Sequence, residues 1–253
     1  AQSLVMRWLP KSTFDFPSTQ EIAGQARKLC ERLHKTALSA DEQLIAWMEA
    51  EYSIFCEIEK IRYTEHIARP AGSIENLLEL SHTILNRRKS RAGQSLENHL
   101  AHLFENYNIS FSAQSWTEQK KKPDFIFPGI TAYQDPDYPA ENLVFLAAKT
   151  TCKDRWRQIL SEADRIETKH LCTLQQGLSE SQLLEMQERK VQLVVPSPYQ
   201  KFFPRYQRDL LLSIADFIDV VKQTIRPHHP LFKGNPDHTD AVAMAGAHHH
   251  PGQ

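Results

Sequence analysis

The sequence lacks the features that would place it in a membrane or in an oxidising compartment. No apolar run approaches the roughly twenty residues of a membrane-spanning helix, and there is no secretory signal. The four cysteines are scattered and form no CxxC pair, so neither a zinc site nor a disulfide framework is predicted. We therefore expect no membrane partner and a reduced, cytoplasmic protein.

A strong excess of charge of either sign is also lacking. Lys and Arg together number 30 and Asp and Glu 31, which gives a net charge of −1. Any binding to nucleic acid must therefore rest on a local basic patch. A hydrophobic share of 41% in 253 residues is ordinary for a globular protein of one large or two small domains. Because the chain begins at Ala1 and not at Met, we interpret it as part of a longer protein.

Three helices are predicted in the first ninety residues. A capping box opens the first helix at Ser18, an apolar segment from about Asp41 to Ile67 forms the second, and a third begins near Ser73. We assign residues 1–90 to a helical N-terminal region packed on the core of the protein. At the other end, residues 224–253 are rich in His, Pro and Gly and have no period. We expect a disordered or loosely attached tail there, in part encoded by an expression vector.

The segment between these two parts, residues 91–223, predicts an α/β core. The predicted elements are a helix from Ala92, strands at 109–116, 125–127 and 143–148, a helix from about 153 to 168, a strand at 170–174, a helix at 179–189, a strand at 191–195 and a helix at 205–222. The strand–helix–strand unit near the end has the crossover length that parallel strands need.

Two polar residues stand at the borders of apolar strands. Asp124 follows a proline and leads into the strand at 125–127, and Lys149 ends the apolar run that begins at Leu143. A lysine is rarely buried unless it is paired. We therefore expect Asp124, Lys149 and Glu162 to meet at one edge of the sheet.

The chemistry of such a site depends on its side chains. Two carboxylates suit a hard divalent cation such as Mg²⁺, which prefers oxygen ligands. A lysine beside the cation can orient or deprotonate an attacking water, while the cation neutralises charge on a phosphate. Metal-assisted hydrolysis of a phosphodiester is therefore the favoured reaction class.

The same stretch resembles the PD-(D/E)XK nucleases. Pro-Asp, a spacer and a strand that ends in Ala147-Ala148-Lys149 match the signature of that family, but the usual acid two residues before the lysine is missing. One branch of restriction endonucleases carries this acid thirteen residues after the lysine, where this sequence has Glu162. The string from Lys149 to Arg165 is similar to the catalytic domain of the EcoRII family, and the likeness extends over about residues 87–222.

The resemblance implies a fold, an activity and partners. The expected fold is a restriction-endonuclease-like mixed central sheet flanked by helices. The expected activity is Mg²⁺-dependent cleavage of both strands of DNA at CCWGG sites by a homodimer in a bacterial cytoplasm. A regulatory DNA-binding domain would precede this chain in the full-length protein.

Roles for individual residues are implied as well. The expected catalytic residues are Asp124, Lys149, Glu162 and Glu97, with Asp124, Glu162 and Ala148 at the metal. The tripeptide Lys153, Asp154 and Arg155 would read G·C pairs, because Lys and Arg donate to guanine and Asp accepts from cytosine. Contacts to phosphate are expected from Arg87, Arg88, Lys89, Arg91 and Arg157. Candidates for stacking on flipped central bases are Trp47 and Tyr52.

Three alternatives remain open at this point. The chain could be a nuclease-fold module that binds nucleic acid without cutting it, or a helical protein-interaction domain built on residues 1–90. The basic run and Glu97 could be ordinary features of solvent-facing helices. The simultaneous presence of Asp124, Lys149 and Glu162 favours the enzyme.

Overall fold

The computed structural model describes residues 16–34, 36–68 and 72–225, without the side chains of Glu65, His66, Lys153 and Asp154. The predicted tail lies outside these residues from position 226 onward. No helix within the described ranges is both long and apolar enough to cross a membrane.

Three helices form the N-terminal part: α1 (Thr19–Leu33), α2 (Ala40–Ala68) and α3 (Ile74–Asn106). The predicted capping box of α1 is present, because Ser18 Oγ accepts from the Glu21 N–H at 3.2 Å and the Glu21 carboxylate accepts from the Ser18 N–H at 2.8 Å.

The prediction of a new helix at Ala92 is wrong, because α3 runs through this position without a break. The next residue, Gly93, costs a helix only about 1 kcal/mol, and the residues after it bury Leu96, Leu100 and Phe104. The burial of these side chains outweighs the local preference of Gly93 against a helix. The expected boundary between residues 90 and 91 therefore falls inside one helix.

A five-stranded mixed sheet comes after α3, in the order β1-β2-β3-β4-β5. The strands are β1 (Ser112–Ala113), β2 (Phe125–Phe127), β3 (Val144–Ala148), β4 (Lys169–Cys172) and β5 (Val191–Val194). β2 is antiparallel to both of its neighbours, β1 and β3, whereas β4 is parallel to both of its neighbours, β3 and β5. The predicted strand at 109–116 is shorter than expected, because Gln114 takes a positive φ of 50° directly after β1.

Short helices connect and cover the strands. They are α4 (Ile130–Gln134), α5 (Glu180–Glu188), α6 (Ser197–Gln200), α7 (Arg205–Arg208) and α8 (Ile214–Thr224), with 3-10 helices at Glu118–Lys120, Ala140–Asn142 and Lys153–Ser161.

The single helix predicted at 205–222 is in fact two helices, α7 and α8. Between them Leu212 joins the sheet, since its N–H donates to Leu193 O at 3.0 Å and its carbonyl accepts from the Val195 N–H at 2.8 Å. Ser213 then starts α8 with a capping box. The helix predicted from 153 to 168 is likewise a 3-10 helix that ends at Ser161, because Ala163 takes a φ of 52°.

The sheet lies between two apolar layers, and β3 contributes to both. Val144, Leu146 and Ala148 belong to the cluster that includes side chains of α2, α3 and α8. Phe145 and Ala147 belong to the opposite cluster, together with the 3-10 helix after β3 and α5. This alternation is the period of a strand that is buried on both faces. Lys149 is the first residue after this buried strand.

One buried carboxylate joins the N-terminal helices to the core. Asp41, in the first turn of α2, accepts at Oδ1 from the N–H groups of Ser197 and Ile214 at 2.8 and 2.9 Å and at Oδ2 from the Ala215 N–H at 3.1 Å. These bonds satisfy free N–H groups at the starts of α6 and α8. Asp41 thus ties the start of α2 to the starts of α6 and α8.

Candidate active site

The centre of the site is a contact between Asp124 and the end of β3. The Nζ atom of Lys149 donates to Asp124 Oδ2 at 2.6 Å, and the backbone N–H of Ala148 donates to the same oxygen at 2.8 Å. Asp124 is buried, whereas about a fifth of the Lys149 side chain (21%) is exposed. The lysine therefore pairs with the carboxylate from the solvent side, and the structure brings these two predicted site residues together.

The antiparallel register of two strands explains why these residues meet. Phe125 of β2 pairs with Leu146 of β3, so the residue before β2 lies beside the end of β3. Asp124 directly precedes β2, and Lys149 directly follows β3. Two residues 25 positions apart in the sequence are thereby held in hydrogen-bond contact.

A third acidic residue is linked to this pair by Gln114. Its Nε2 atom donates to Asp124 Oδ1 at 2.9 Å and to Glu97 Oε2 at 3.0 Å. Glu97 projects from the buried half of α3. Burial, and then the charge of Asp124, raise the pKa of the Glu97 carboxyl above its ordinary value. Gln114 was missed in the sequence, where only its place within the predicted strand at 109–116 could have drawn attention to it.

Glu162 lies close enough to Asp124 and Lys149 for their charges to shift the pKa of its carboxyl. Burial raises the pKa of its carboxyl to about 7, and the charge of Asp124 acts in the same direction. Lys149, Lys121 and Lys169 lower it less strongly. Glu162 does not lie within a helix as expected, because it follows the last residue of the 3-10 helix in an extended conformation.

The donor set at this site fits a hard divalent cation. Glu97 and Glu162 are close enough to Asp124 for its charge, after burial, to raise the pKa of each, and a bound cation would favour their ionised forms. Within the described part of the chain, no three His, Cys, Asp or Glu side chains converge closely enough to hold a metal by themselves. Mg²⁺ ordinarily takes one or two carboxylates and completes its shell with water and phosphate oxygens. Asp124 and Glu162 therefore suit it.

The segment expected to read bases begins four residues after Lys149. Arg155 is exposed, and its backbone N–H donates to Cys152 O at 2.8 Å. The side chains of Lys153 and Asp154 lie outside the described atoms. The backbone of this segment forms the first turn of the 3-10 helix.

The residues expected to contact phosphate differ in their surroundings. Arg91 is buried and its Nη1 is 3.0 Å from Glu51 Oε1, so it faces a carboxylate inside the protein and not the solvent, where phosphate contact was expected. Arg87 contacts Tyr63 and lies over the Phe16 ring. The remaining members are at the surface: Lys89 is exposed, Arg88 pairs with Glu59, and Arg157 pairs with Glu185. The Arg157–Glu185 pair lies between partly exposed side chains and contributes little stability, whereas Arg88 pairs with the buried carboxylate of Glu59.

The two candidates for base stacking are not equivalent. Trp47 is buried, with its ring 5.7 Å from that of His99 and 5.6 Å from that of His102, so it belongs to the core and offers no stacking surface. This prediction fails because α3 covers the face of α2 that carries Trp47. Tyr52 is half-exposed beside Arg91, so of the two it is the one with ring surface open to solvent.

A protein-family model and a curated relative both match this chain to the same restriction enzyme family. A protein-family model described as "EcoRII C terminal" matches residues 55–218. The type II restriction enzyme EcoRII of Escherichia coli is 47% identical over 204 residues, which are 80% of this chain and 50% of that protein. The chain spans about half the length of the curated relatives it matches.

Solved structures of similar fold include two complexes with DNA. Metal-depleted Ecl18kI with uncleaved, modified DNA has a TM-score of 0.69 at 21% identity, covering 89% of this chain and 83% of that one. The complex of restriction endonuclease PspGI with substrate DNA has a TM-score of 0.67 at 16% identity, covering 83% and 93%. At these identities the likeness concerns the fold alone, and it confirms the predicted mixed sheet flanked by helices.

Proposed function

Since the chain belongs to the family of the EcoRII C-terminal domain, we propose that it is the catalytic part of a type II restriction endonuclease that cuts both strands of DNA. The observation that carries the proposal is the contact between Lys149 and Asp124, with Glu162 in the same field. The family match supports the class of enzyme, and the side chains at the sheet edge support metal-assisted hydrolysis of a phosphodiester. The bound DNA of the Ecl18kI and PspGI complexes supports the choice of substrate.

Mg²⁺ is the proposed cofactor, held by Asp124 and Glu162 beside Ala148, with Glu97 near them. When bound, the ion would neutralise negative charge that develops on the phosphate. Lys149 would donate hydrogen bonds to the attacking water from the exposed side of the site. Asp124 keeps the lysine in place through Oδ2, and the Ala148 N–H holds that oxygen from the strand. Gln114 in turn orients the other oxygen of Asp124.

The proposed target is CCWGG. Arg155, with its neighbours Lys153 and Asp154, would contact the G·C pairs in the major groove, where Arg is the commonest partner of guanine. Lys89, Arg88 and Arg157 would contact phosphates, which fix the register without reading sequence.

A homodimer is proposed as the working unit, because each chain has one such site and a double-strand break needs two. The first half of α3, Ile74 to Ser90, contains no residue that is buried in the described chain. It exposes four large apolar side chains: Ile74, Leu77, Leu78 and Leu85. Their spacing forms a stripe along one side of the helix, and we propose that a second copy of this chain covers it. Apolar surface of this kind favours association with another protein.

The decisive experiment is cleavage of linear DNA that contains one or several CCWGG sites, with end mapping. The expected result is double-strand breaks at these sites that require Mg²⁺, with none on a matched DNA in which every site is changed to CCCGG. The alternative is a binding module. Tight binding of CCWGG duplexes without cleavage, at any number of sites and with Mg²⁺ or Mn²⁺, would support the alternative and refute the enzyme.

A further inference from the structure

Two lysine side chains donate hydrogen bonds to the backbone on either side of Glu162. Lys121 Nζ donates to the Ser161 carbonyl at 2.7 Å, and Lys169 Nζ donates to the Ala163 carbonyl at 2.5 Å. The two accepting carbonyls belong to the residues directly before and after Glu162. Each hydrogen bond therefore limits the rotation of the backbone at Glu162.

Lys169, the second of these lysines, is unusually buried for a lysine. Lys169 is the first residue of β4 and is only 4% exposed. Its Nζ atom lies 5.2 Å from the centre of the Phe145 ring on β3, a distance at which a cation is attracted to the ring. Burying a lysine is costly unless the charge is paired or hydrogen-bonded. Its carbonyl partner and the aromatic face thus account for its position.

The backbone at Ala163 needs such support. Ala163 has a φ of 52°, in the left-handed region that residues with a Cβ rarely adopt. Its carbonyl accepts both the lysine and the Ile166 N–H, the latter at 3.0 Å. Further along the same turn, Arg165 donates to carbonyls of the segment after β2, including Tyr138 O at 2.6 Å. A strained conformation that several contacts hold in place is typical of a functional turn.

We propose that Lys169 is a positioning residue, which holds Glu162 at the active site by fastening the turn at Ala163. Lys169 itself does not contact the reacting groups, because the lysine at the centre of the site is Lys149. The proposal rests on the function proposed above, in which Glu162 is a metal ligand. It explains how this chain can place Glu162 accurately although this residue follows a 3-10 helix and not a regular α-helix.

The test uses Lys169→Met, which keeps the length and apolar stem of the side chain and removes the donor, and Lys169→Arg, which retains a donor. Lys190→Met is the matched control, because Lys190 is an exposed lysine that pairs with Glu167 near the start of the same pair of strands. Amide hydrogen exchange is measured without metal. Binding of Mn²⁺, which accepts the same oxygen ligands as Mg²⁺, is followed by electron paramagnetic resonance.

For Lys169→Met we expect exchange at residues 162–166 to be at least about tenfold faster while β3 is unchanged, and Mn²⁺ affinity to fall about 10- to 100-fold. Lys169→Arg should restore part of the slow amide exchange and part of the Mn²⁺ affinity. Lys190→Met should match the wild type in both measurements. Wild-type Mn²⁺ affinity in Lys169→Met would overturn the proposal, whether or not the turn loosens. If Lys169→Met does not fold, Lys169→Gln, which is too short to reach the carbonyl, is judged by the same two measurements.

Cleavage is measured separately on the same proteins. A wild type that binds Mn²⁺ through Glu162 but cuts no DNA would refute the proposed function and leave the role of Lys169 standing. A wild type that cuts DNA, together with a Lys169→Met variant that binds Mn²⁺ normally, would refute the role of Lys169 alone.

Discussion

Lys149 and Asp124 form the closest charged contact of the candidate site, with Nζ and Oδ2 2.6 Å apart. Neither residue supports the core by packing, because the apolar layers on both sides of the sheet consist of other side chains. The pair is therefore held by hydrogen bonds and not by apolar packing, with Asp124 accepting from Lys149, the Ala148 N–H and Gln114.

Removing either member should abolish cleavage while DNA binding persists. For Lys149→Met and Asp124→Asn we expect cleavage rates at least about 10²-fold lower, as for loss of a group that acts on the proton or the water. Both variants should bind a CCWGG duplex with nearly wild-type affinity in a gel-shift assay with Ca²⁺. Lys190→Met, which changes an exposed lysine that pairs with Glu167 and not with the candidate site, should cut normally. Cleavage within tenfold of wild type by either site variant would contradict the assignment.

Glu162 should make the metal-free protein sensitive to pH. Its pKa is raised to about 7 from an ordinary value of 4.5, so between these values the folded protein keeps a proton that the unfolded chain has released. The free energy of unfolding should therefore fall as the pH rises through this window. Glu162→Gln removes this titration, and its melting temperature relative to wild type should rise from about pH 5 to about pH 8. A constant difference between the two melting temperatures would contradict the raised pKa.

The same carboxyl should link metal binding to protons. A metal ligand must be deprotonated, so Mg²⁺ competes with the proton on Glu162. The Mg²⁺ concentration for half-maximal cleavage should therefore be higher at about pH 6 than at about pH 8. In Glu162→Gln this dependence should weaken, because the amide does not titrate.

Arg155 and Lys89 should have different effects on DNA binding. Arg155→Ala should cost about 1–3 kcal/mol of discrimination at one G·C position, because base contacts specify the sequence. Lys89→Ala should instead weaken binding to all sequences and lower the slope of affinity against salt concentration. Competition binding with single-substituted duplexes at several salt concentrations measures both quantities. Equal losses on cognate and random DNA for both variants would exclude Arg155 as a reader.

How far the sequence predicts the site depends on the range of the contacts involved. Asp124 and Lys149 are predictable because a polar residue at the border of an apolar strand is a local signal. Gln114 and Lys169 escape sequence analysis because their roles depend on partners from other elements. The positive φ of Ala163 has no local signature either, since nothing in its sequence distinguishes it from an ordinary helical alanine.

The errors in the fold have a similar physical origin. Gly93 and the basic run before it look like a helix boundary, yet tertiary burial of the residues after it keeps α3 continuous. Trp47 is expected to be accessible only because the periodicity of one helix does not show which face a neighbouring helix covers. In both cases a contact between distant segments outweighs the local preference.

A buried polar network between α2 and α3 should be important for stability. Glu51 Oε1 is 3.0 Å from Arg91 Nη1, and Glu51 Oε2 is 2.9 Å from His99 Nε2, with all three residues buried. Glu51→Ala leaves Arg91 without its carboxylate partner, and we expect a loss of about 3–5 kcal/mol in the free energy of unfolding. Urea denaturation measures the change. Glu185→Ala, which breaks the surface pair with Arg157, should leave stability unchanged, and equal effects of both variants would contradict the buried role of Glu51.

The apolar stripe on the first half of α3 should decide whether the chain forms a dimer. Leu78 is 52% exposed, so Leu78→Glu should leave the folded monomer intact and place a charge in the proposed interface. Leu184 on α5 is exposed to a similar extent, at 53%, and Leu184→Glu is the matched control. In sedimentation velocity we expect wild type and Leu184→Glu to be dimers and Leu78→Glu to shift to monomers. The Leu78→Glu variant should then nick DNA or lose cleavage, because the second site is no longer held on the opposite strand. A monomeric wild type that makes double-strand breaks, or a Leu78→Glu dimer as stable as that of the wild type, would exclude this surface as the interface.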